Sequence, residues 1–188
     1  MKVAVVVGSL RKGSYNRMIA KALCALAPPG MQCDIVEIGN LPLYNPDLED
    51  GSLPPAWEEF RKRIRASDAV LFVTPEYNRS VPGALKNAID VGSRPYGKSV
   101  WSKKPAAVVS VSPGAIGAFG ANQHLRQSFV FLDMPAMQQP EAYIGGVAKL
   151  FDASGALVSD DTREFLRKFM ESFAAWIAKV GRPTRASS

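Results

Sequence analysis

The chain predicts an α/β fold, a doubly wound parallel sheet of five strands with helices on both faces. Three observations carry this reading. Strand-like and helix-like segments alternate from end to end of the 188 residues. The run from Asp68 to Thr74 is apolar at five consecutive positions, Ala-Val-Leu-Phe-Val, as a central parallel strand covered on both faces requires. The loops after the first, third and fourth strands are the ones of unusual composition, and such sheets bind ligands beyond the carboxyl ends of their strands.

In chain order, the first strand spans about Lys2 to Val7, and a helix follows from about Ser14 to Leu26, stopped by Pro28-Pro29-Gly30. The second strand is about Gln32 to Glu37. A loop rich in proline and acid, Gly39 to Pro54, leads to a helix from Pro55 to Ala66. The third strand is Asp68 to Thr74, and Pro82 suits the start of the helix that runs to Val91. Turn residues from Arg94 to Lys104 read as an insertion before the fourth strand, Ala106 to Ser112. A helix from Phe119 to Leu132, a short fifth strand near Met134 to Gln138, and a helix from Asp160 to Val180 complete the series. No repeat or linker divides residues 1–180, which are expected to form one domain; 181–188 read as a disordered basic tail.

Composition narrows the partners. Lysine and arginine exceed aspartate and glutamate by 23 to 17, a net charge of +6 that favours anionic small molecules. No basic stripe interleaved with aromatics points to nucleic acid. The apolar runs are strand-sized, too short for a bilayer, and no signal-peptide pattern opens the chain, so a cytoplasmic location is expected. Cys24 and Cys33 form no CxxC pair and read as packed, reduced thiols. Asp152-Ala153-Ser154-Gly155 reads as a turn, and no cluster of residues has metal-ligand spacing.

The first loop, Gly8-Ser9-Leu10-Arg11-Lys12-Gly13-Ser14-Tyr15-Asn16, joins a buried strand to a helix N-terminus. Unpaired backbone donors and the helix dipole converge there, which makes an anion site. Gly8 and Gly13 allow a tight bend and a close approach; Ser9, Ser14, Asn16 and Arg11 can all donate to phosphate oxygens. The loop lacks the lysine-serine/threonine pair of a Walker sequence and the middle glycine of the dinucleotide fingerprint. The plain alternative is an ordinary turn with Ser14 as an N-cap.

After the third strand comes Thr74-Pro75-Glu76-Tyr77-Asn78-Arg79-Ser80-Val81-Pro82-Gly83, with prolines on both sides of an aromatic and an amide side chain. After the fourth comes Ser112-Pro113-Gly114-Ala115-Ile116-Gly117, rich in free backbone donors and poor in bulk. With Leu85-Lys86-Asn87-Ala88-Ile89-Asp90 and His124-Leu125-Arg126-Gln127, these motifs resemble the NADPH-dependent FMN reductase family, in its quinone and chromate reductase branch. The resemblance spans residues 3 to about 146.

It implies a flavodoxin-like sheet of order 2-1-3-4-5 and tightly bound, noncovalent FMN. The first loop, including Leu10, Lys12, Gly13 and Tyr15, would hold the phosphate through Ser9, Arg11, Ser14 and Asn16. Pro75, Glu76, Tyr77 and Asn78 would lie against the isoalloxazine, with Arg79 beside them. Ser112, Gly114 and Gly117 would line its other edge, Gly114 among the donors that stabilise the reduced ring.

The implied reaction is a two-electron, ping-pong transfer from NADPH or NADH through FMN to quinones, with chromate, ferric chelates and azo dyes as promiscuous acceptors. No residue need be an acid or base. Three alternatives stay open: a reductase that releases FMN to a partner, an FMN electron carrier without NAD(P)H activity, and a nucleotide-binding module without redox activity. Glu76 is expected to act mainly through its backbone, and His124 to serve packing or an interface. Arg126 and Glu141 would need pairing if buried. A homotetramer is expected, with a dimer as the alternative.

Overall fold

A computed structural model describes residues 1–49 and 51–181. The expected tail therefore lies, from Arg182 onward, outside the described residues. Five parallel strands form one sheet: β1 Lys2–Val7, β2 Gln32–Val36, β3 Ala69–Thr74, β4 Ala106–Val111 and β5 Ala142–Ile144. The helices are α1 Tyr15–Ala25, α2 Pro55–Arg65, α3 Gly83–Gly92, α4 Phe119–Phe131 and α5 Asp160–Val180. Strand order is β2-β1-β3-β4-β5, with Val5 of β1 set between Ile35 and Leu71.

Alternation within each strand sorts side chains to two faces. Val3, Val5, Leu71 and Val109 point to one core with Ile19 and Leu23 of α1 and Phe169 and Phe173 of α5. Ala4, Val6, Phe72 and Val108 point to the other, with residues of α2, α3 and α4. Both cores are apolar, so the central strand β3 reads as an unbroken apolar run up to Thr74, whereas the edge strand β2 keeps exposed Gln32 and Asp34. The crossover after β1 moves outward along the sheet one way and the next three move the other way, so crossovers of one hand place α1 and α2–α4 on opposite faces. The chain reverses direction between β1 and β3, and a crevice opens beyond their carboxyl ends.

One element lies elsewhere than expected. Residues 134–138 touch β4 only at its start, where Ala106 N donates to Pro135 O at 3.0 Å and Met137 N to Ala106 O at 2.7 Å. Pro135 and Pro140 have no N–H to give, so a continuous ladder cannot run through this stretch. Pairing resumes at Ala142, opposite Val109.

The segment 94–104 is more than a surface insertion. Trp101 is fully buried, and its Nε1 donates to Ile89 O at 2.9 Å. In the proline-rich loop, Asn87 of α3 accepts from Tyr44 N at 2.8 Å and donates to Pro42 O at 3.0 Å, pinning residues 42–44 from below.

Candidate FMN site

The first loop delivers its polar groups as a helix start should. Ser14 caps α1, its Oγ accepting from Arg17 N at 3.4 Å. Ser9, Ser14 and Asn16 are buried, while Arg11, Lys12 and Gly13 are exposed. Neither Arg11 nor Lys12 has an ion pair among the described residues. Asn16 Oδ1 is buried without a hydrogen-bond partner, the one such side-chain atom found among the described residues. An orphaned polar atom of this kind costs about 1–3 kcal/mol unless something else pairs with it. A polyhydroxylated phosphate ester would supply that partner, and the surrounding hydroxyls, helix N–H groups and guanidinium are the donors its phosphate needs. The residues present therefore fit FMN.

Gly8 is closely surrounded by side chains of the second loop and α3, which would have to give by a few tenths of an ångström to admit a larger residue. A Cβ there would lie 3.0 Å from Leu85 Cδ2 and 3.1 Å from Thr74 Oγ1. Gly13 differs from expectation, because a Cβ there would meet no protein atom and its φ is not in the left-handed region. Leu10 turns away toward Gly39.

The crevice, about 130 Å³, brings together Ser9, Arg11, Ser14, Tyr15 and Asn16 with Pro75, Glu76 and Tyr77, and with Ser112. Val111 and Pro113 also line it; both flank Ser112. Leu10, Lys12, Gly13, Asn78, Arg79, Gly114 and Gly117 are not part of its wall. Larger hollows of about 590 and 810 Å³ lie on the outer side of α1 and beside the N-terminal ends of the strands. Neither lies where the strand order reverses, so chemistry and topology, not size, pick out the crevice.

The second loop is a small hairpin. Tyr77 and Ser80 exchange backbone hydrogen bonds at 3.0 Å, and Asn78 and Arg79 both take positive φ, 51° and 63°. This is the geometry of a two-residue type I′ turn, which asparagine tolerates and arginine does not favour. It leaves Tyr77 about half exposed and Arg79 fully outward. His124 Nδ1 lies 3.0 Å from Ser80 Oγ and braces the turn from α4.

Glu76 sends its carboxylate away from the crevice. Its Oε2 accepts from Ala121 N at 3.1 Å, and its Oε1 lies 3.6 Å from Arg79 Nη1. Helix α4 has no side-chain cap of its own, since Ala118 stands at the N-cap position with a left-handed backbone. An anion at that N-terminus is favoured by the dipole and the free N–H groups. Glu76 is thus a cap supplied from another loop, leaving its backbone to face the crevice.

The third loop lies backbone to backbone on the end of β5. A Cβ on Gly117 would stand 2.7 Å from Tyr143 C, and one on Gly145 would stand 2.5 Å from Ala115 O. A buried network secures it: Ser110 Oγ donates to Gly117 O at 2.7 Å, Asn122 Nδ2 to Ser110 Oγ at 3.2 Å, and Arg126 Nε to Asn122 Oδ1 at 2.9 Å. Arg126 is therefore paired within the chain through Asn122 and Met137 O, not through Glu141. Burial first, then the Glu141 carboxylate, raise the Tyr143 phenol, which accepts from Gln123 Nε2 at 2.7 Å. The donor expected of Gly114 is already used, since its N–H bonds Ser112 Oγ at 3.0 Å in a local turn.

Among the described residues no group of three His, Cys, Asp or Glu side chains could hold a metal ion, and no helix is long and apolar enough to cross a membrane. Residues 1–149 match the family model described as NADPH-dependent FMN reductase. The chain is 70% identical over 175 residues to a quinone reductase of Pseudomonas putida, covering 93% of this chain and 94% of that one. It is 50% identical over 177 residues to a 2-hydroxy-1,4-benzoquinone reductase of a Burkholderia species, covering 94% and 96%. FerB of Paracoccus denitrificans, a flavoenzyme NAD(P)H:(acceptor) oxidoreductase, superposes with a TM-score of 0.90 at 45% identity, covering 96% and 99%. A family model over residues 1–149 and a relative 70% identical over 93% of the chain leave one assignment: the chain belongs to the NADPH-dependent FMN reductase family.

Proposed function

We propose that this protein reduces quinones by two electrons at the expense of NAD(P)H, in ping-pong order through FMN held in the crevice, and accepts chromate and azo compounds as further oxidants. The carrying observation is the orphaned, buried Asn16 Oδ1 set among Ser9, Ser14 and Arg11 at the start of α1. FMN when bound supplies the redox chemistry, relaying electrons between the nicotinamide and the acceptor, so the protein needs no acid or base of its own. Its residues hold and orient. Ser9, Ser14, Asn16 and Arg11 take the phosphate end. Pro75 and the half-exposed Tyr77 offer a flat apolar surface, and Ser112 closes the far side. Lys12, Gly13, Asn78 and Arg79 belong to the same two loops outside the crevice wall, and the cations among them would attract an anionic nicotinamide cofactor; Leu10 packs away from it, and Gly114 and Gly117 shape the third loop.

The test is an anaerobic titration of the FMN-loaded protein. Its flavin bands should bleach with one equivalent of NADPH and return with benzoquinone; chromate in place of benzoquinone tests the wider acceptor range. Bands that ignore NADPH would overturn the reading in favour of an electron carrier, and FMN released on each turnover in favour of a flavin-supplying reductase. In the same assay Arg11→Ala should weaken FMN binding by about 2 kcal/mol, the worth of one charge-assisted phosphate contact. Unchanged affinity would remove Arg11 from the cradle.

Two further parts of the proposal rest on surface and composition. Val130 and Phe131, 83% and 82% exposed at the end of α4, suit burial in a homotetramer, or in a dimer as the alternative. Light scattering at the single-chain mass of 20.3 kDa would sink that. The proposed compartment is the cytoplasm, in keeping with two free thiols; a protein recovered only from extracellular or membrane fractions would refute it.

A further inference from the structure

We infer that Glu76 is a positioning residue, whose carboxylate ties two walls of the crevice together and so holds Tyr77 in place against the flavin ring. The inference rests on the reading of that crevice as the FMN site. The second loop supplies Pro75, Glu76 and Tyr77 to one wall, and the third loop supplies Val111, Ser112 and Pro113 to another. Helix α4 follows the third loop directly, at Phe119. The Glu76 side chain spans from one to the other. Its Oε2 accepts from Ala121 N at 3.1 Å, so the second loop is tied to the helix into which the third loop runs.

Two further contacts join the same partners. Ser80 Oγ lies 3.0 Å from His124 Nδ1, about one turn further along α4. A Cβ on Gly120 would stand 2.9 Å from Arg79 O and 2.9 Å from Glu76 Oε2, so the first turn of α4 rests directly on the hairpin. The Glu76 side chain itself is only 15% exposed, and Arg79 Nη1 lies 3.6 Å from its Oε1.

The hairpin needs this support. Asn78 and Arg79 both take positive φ, a cost for residues other than glycine that surrounding contacts must offset. Within the hairpin the backbone offers two hydrogen bonds, exchanged between Tyr77 and Ser80. Tyr77 is about half exposed, so little packing fixes its ring. Its place is set by the backbone of Glu76, and that backbone is set by where the carboxylate is anchored. Without the anchor, FMN must order the second loop as it binds, which costs affinity. Ser9, Arg11, Ser14 and Asn16 belong to the first loop, so the phosphate end keeps its hold.

The experiment compares wild type, Glu76→Ala, Glu76→Gln and Tyr77→Phe by FMN titration and amide hydrogen exchange. A phenol against an isoalloxazine quenches its fluorescence, so the emission of bound FMN reports the placement of Tyr77. Glu76→Ala should raise that emission and weaken FMN binding on the order of tenfold. Glu76→Gln keeps an oxygen that can accept from Ala121 N, and should stay within about threefold of wild type on both readouts. Tyr77→Phe removes the quencher, and adding Glu76→Ala to it should leave the emission unchanged, because the carboxylate acts through Tyr77. In protein without FMN, Glu76→Ala should speed exchange of the Ala121 amide and Glu76→Gln should not, which tests the anchor independently of the flavin. Wild-type emission and affinity in Glu76→Ala would overturn the inference. So would an equal rise in emission in the Tyr77→Phe background, or Glu76→Gln behaving as the alanine variant. A wild-type protein that takes up no FMN, with Ala121 still protected through Glu76, would overturn the flavin reading and the role of Tyr77 with it, while the anchor itself stood.

Discussion

Gly117→Ala is expected to destabilise the protein by about 2–5 kcal/mol, the sum of left-handed strain and a clash that only backbone movement can relieve. Gly117 has φ +63°, and a methyl group there would stand 2.7 Å from Tyr143 C, 2.9 Å from Tyr143 O and 3.0 Å from Ile144 N. Backbone atoms of a paired strand cannot rotate aside as a side chain can. The third loop must lift from β5, breaking the bond from Ser110 Oγ to Gly117 O and moving Ser112 in the crevice wall. FMN retention should fall with stability. Gly97→Ala is the control: its φ is +77°, but nothing lies within 4 Å of its added Cβ. It should cost only the strain, about 1 kcal/mol. Urea unfolding of both variants decides the matter, and equal losses would mean that the loop does not rest on β5.

Trp101→Ala should cost about 3–5 kcal/mol, the usual price of emptying an aromatic site in a packed core. The indole is 0% exposed and packs against Phe60 and Phe72 at centroid distances of 5.9 and 5.8 Å. It lies so close to α3 that a Cβ on Gly92 would come within 2.5 Å of the ring. Its N–H also holds the Ile89 carbonyl near the end of that helix. Thermal unfolding should show Tm lowered by roughly 10 °C. Trp101→Phe should lose less, keeping most of the apolar area but leaving Ile89 O without this donor. A loss below about 1 kcal/mol for the alanine variant would mean that the 94–104 segment does not seal the core.

The α/β class, four of the five strands and all five helices were legible in the residues, because periodicity and apolar run length report burial directly. The loops that meet at the crevice were legible for a local reason as well. A helix N-terminus favours Ser14, and the crowding of Leu85, Thr74 and Pro75 around the end of β1 favours Gly8; both preferences are met within a few residues. Burial patterns name no partners, and there the tertiary structure decided. It moved the fifth strand to Ala142–Ile144 because proline withholds donors from the ladder at 135 and 140. It turned Glu76 to the start of α4, 45 residues away, and spent the Gly114 N–H on Ser112. It made a core residue of Trp101 in a turn-rich stretch and a staple of Asn87. Each of these is a pairing between side chain and backbone whose energy exists only once separate elements are packed together. The sequence alone determined which segments would be buried and that a capped helix would open just beyond β1; the folded chain determined which polar groups there were paired and which, like Asn16 Oδ1, were not.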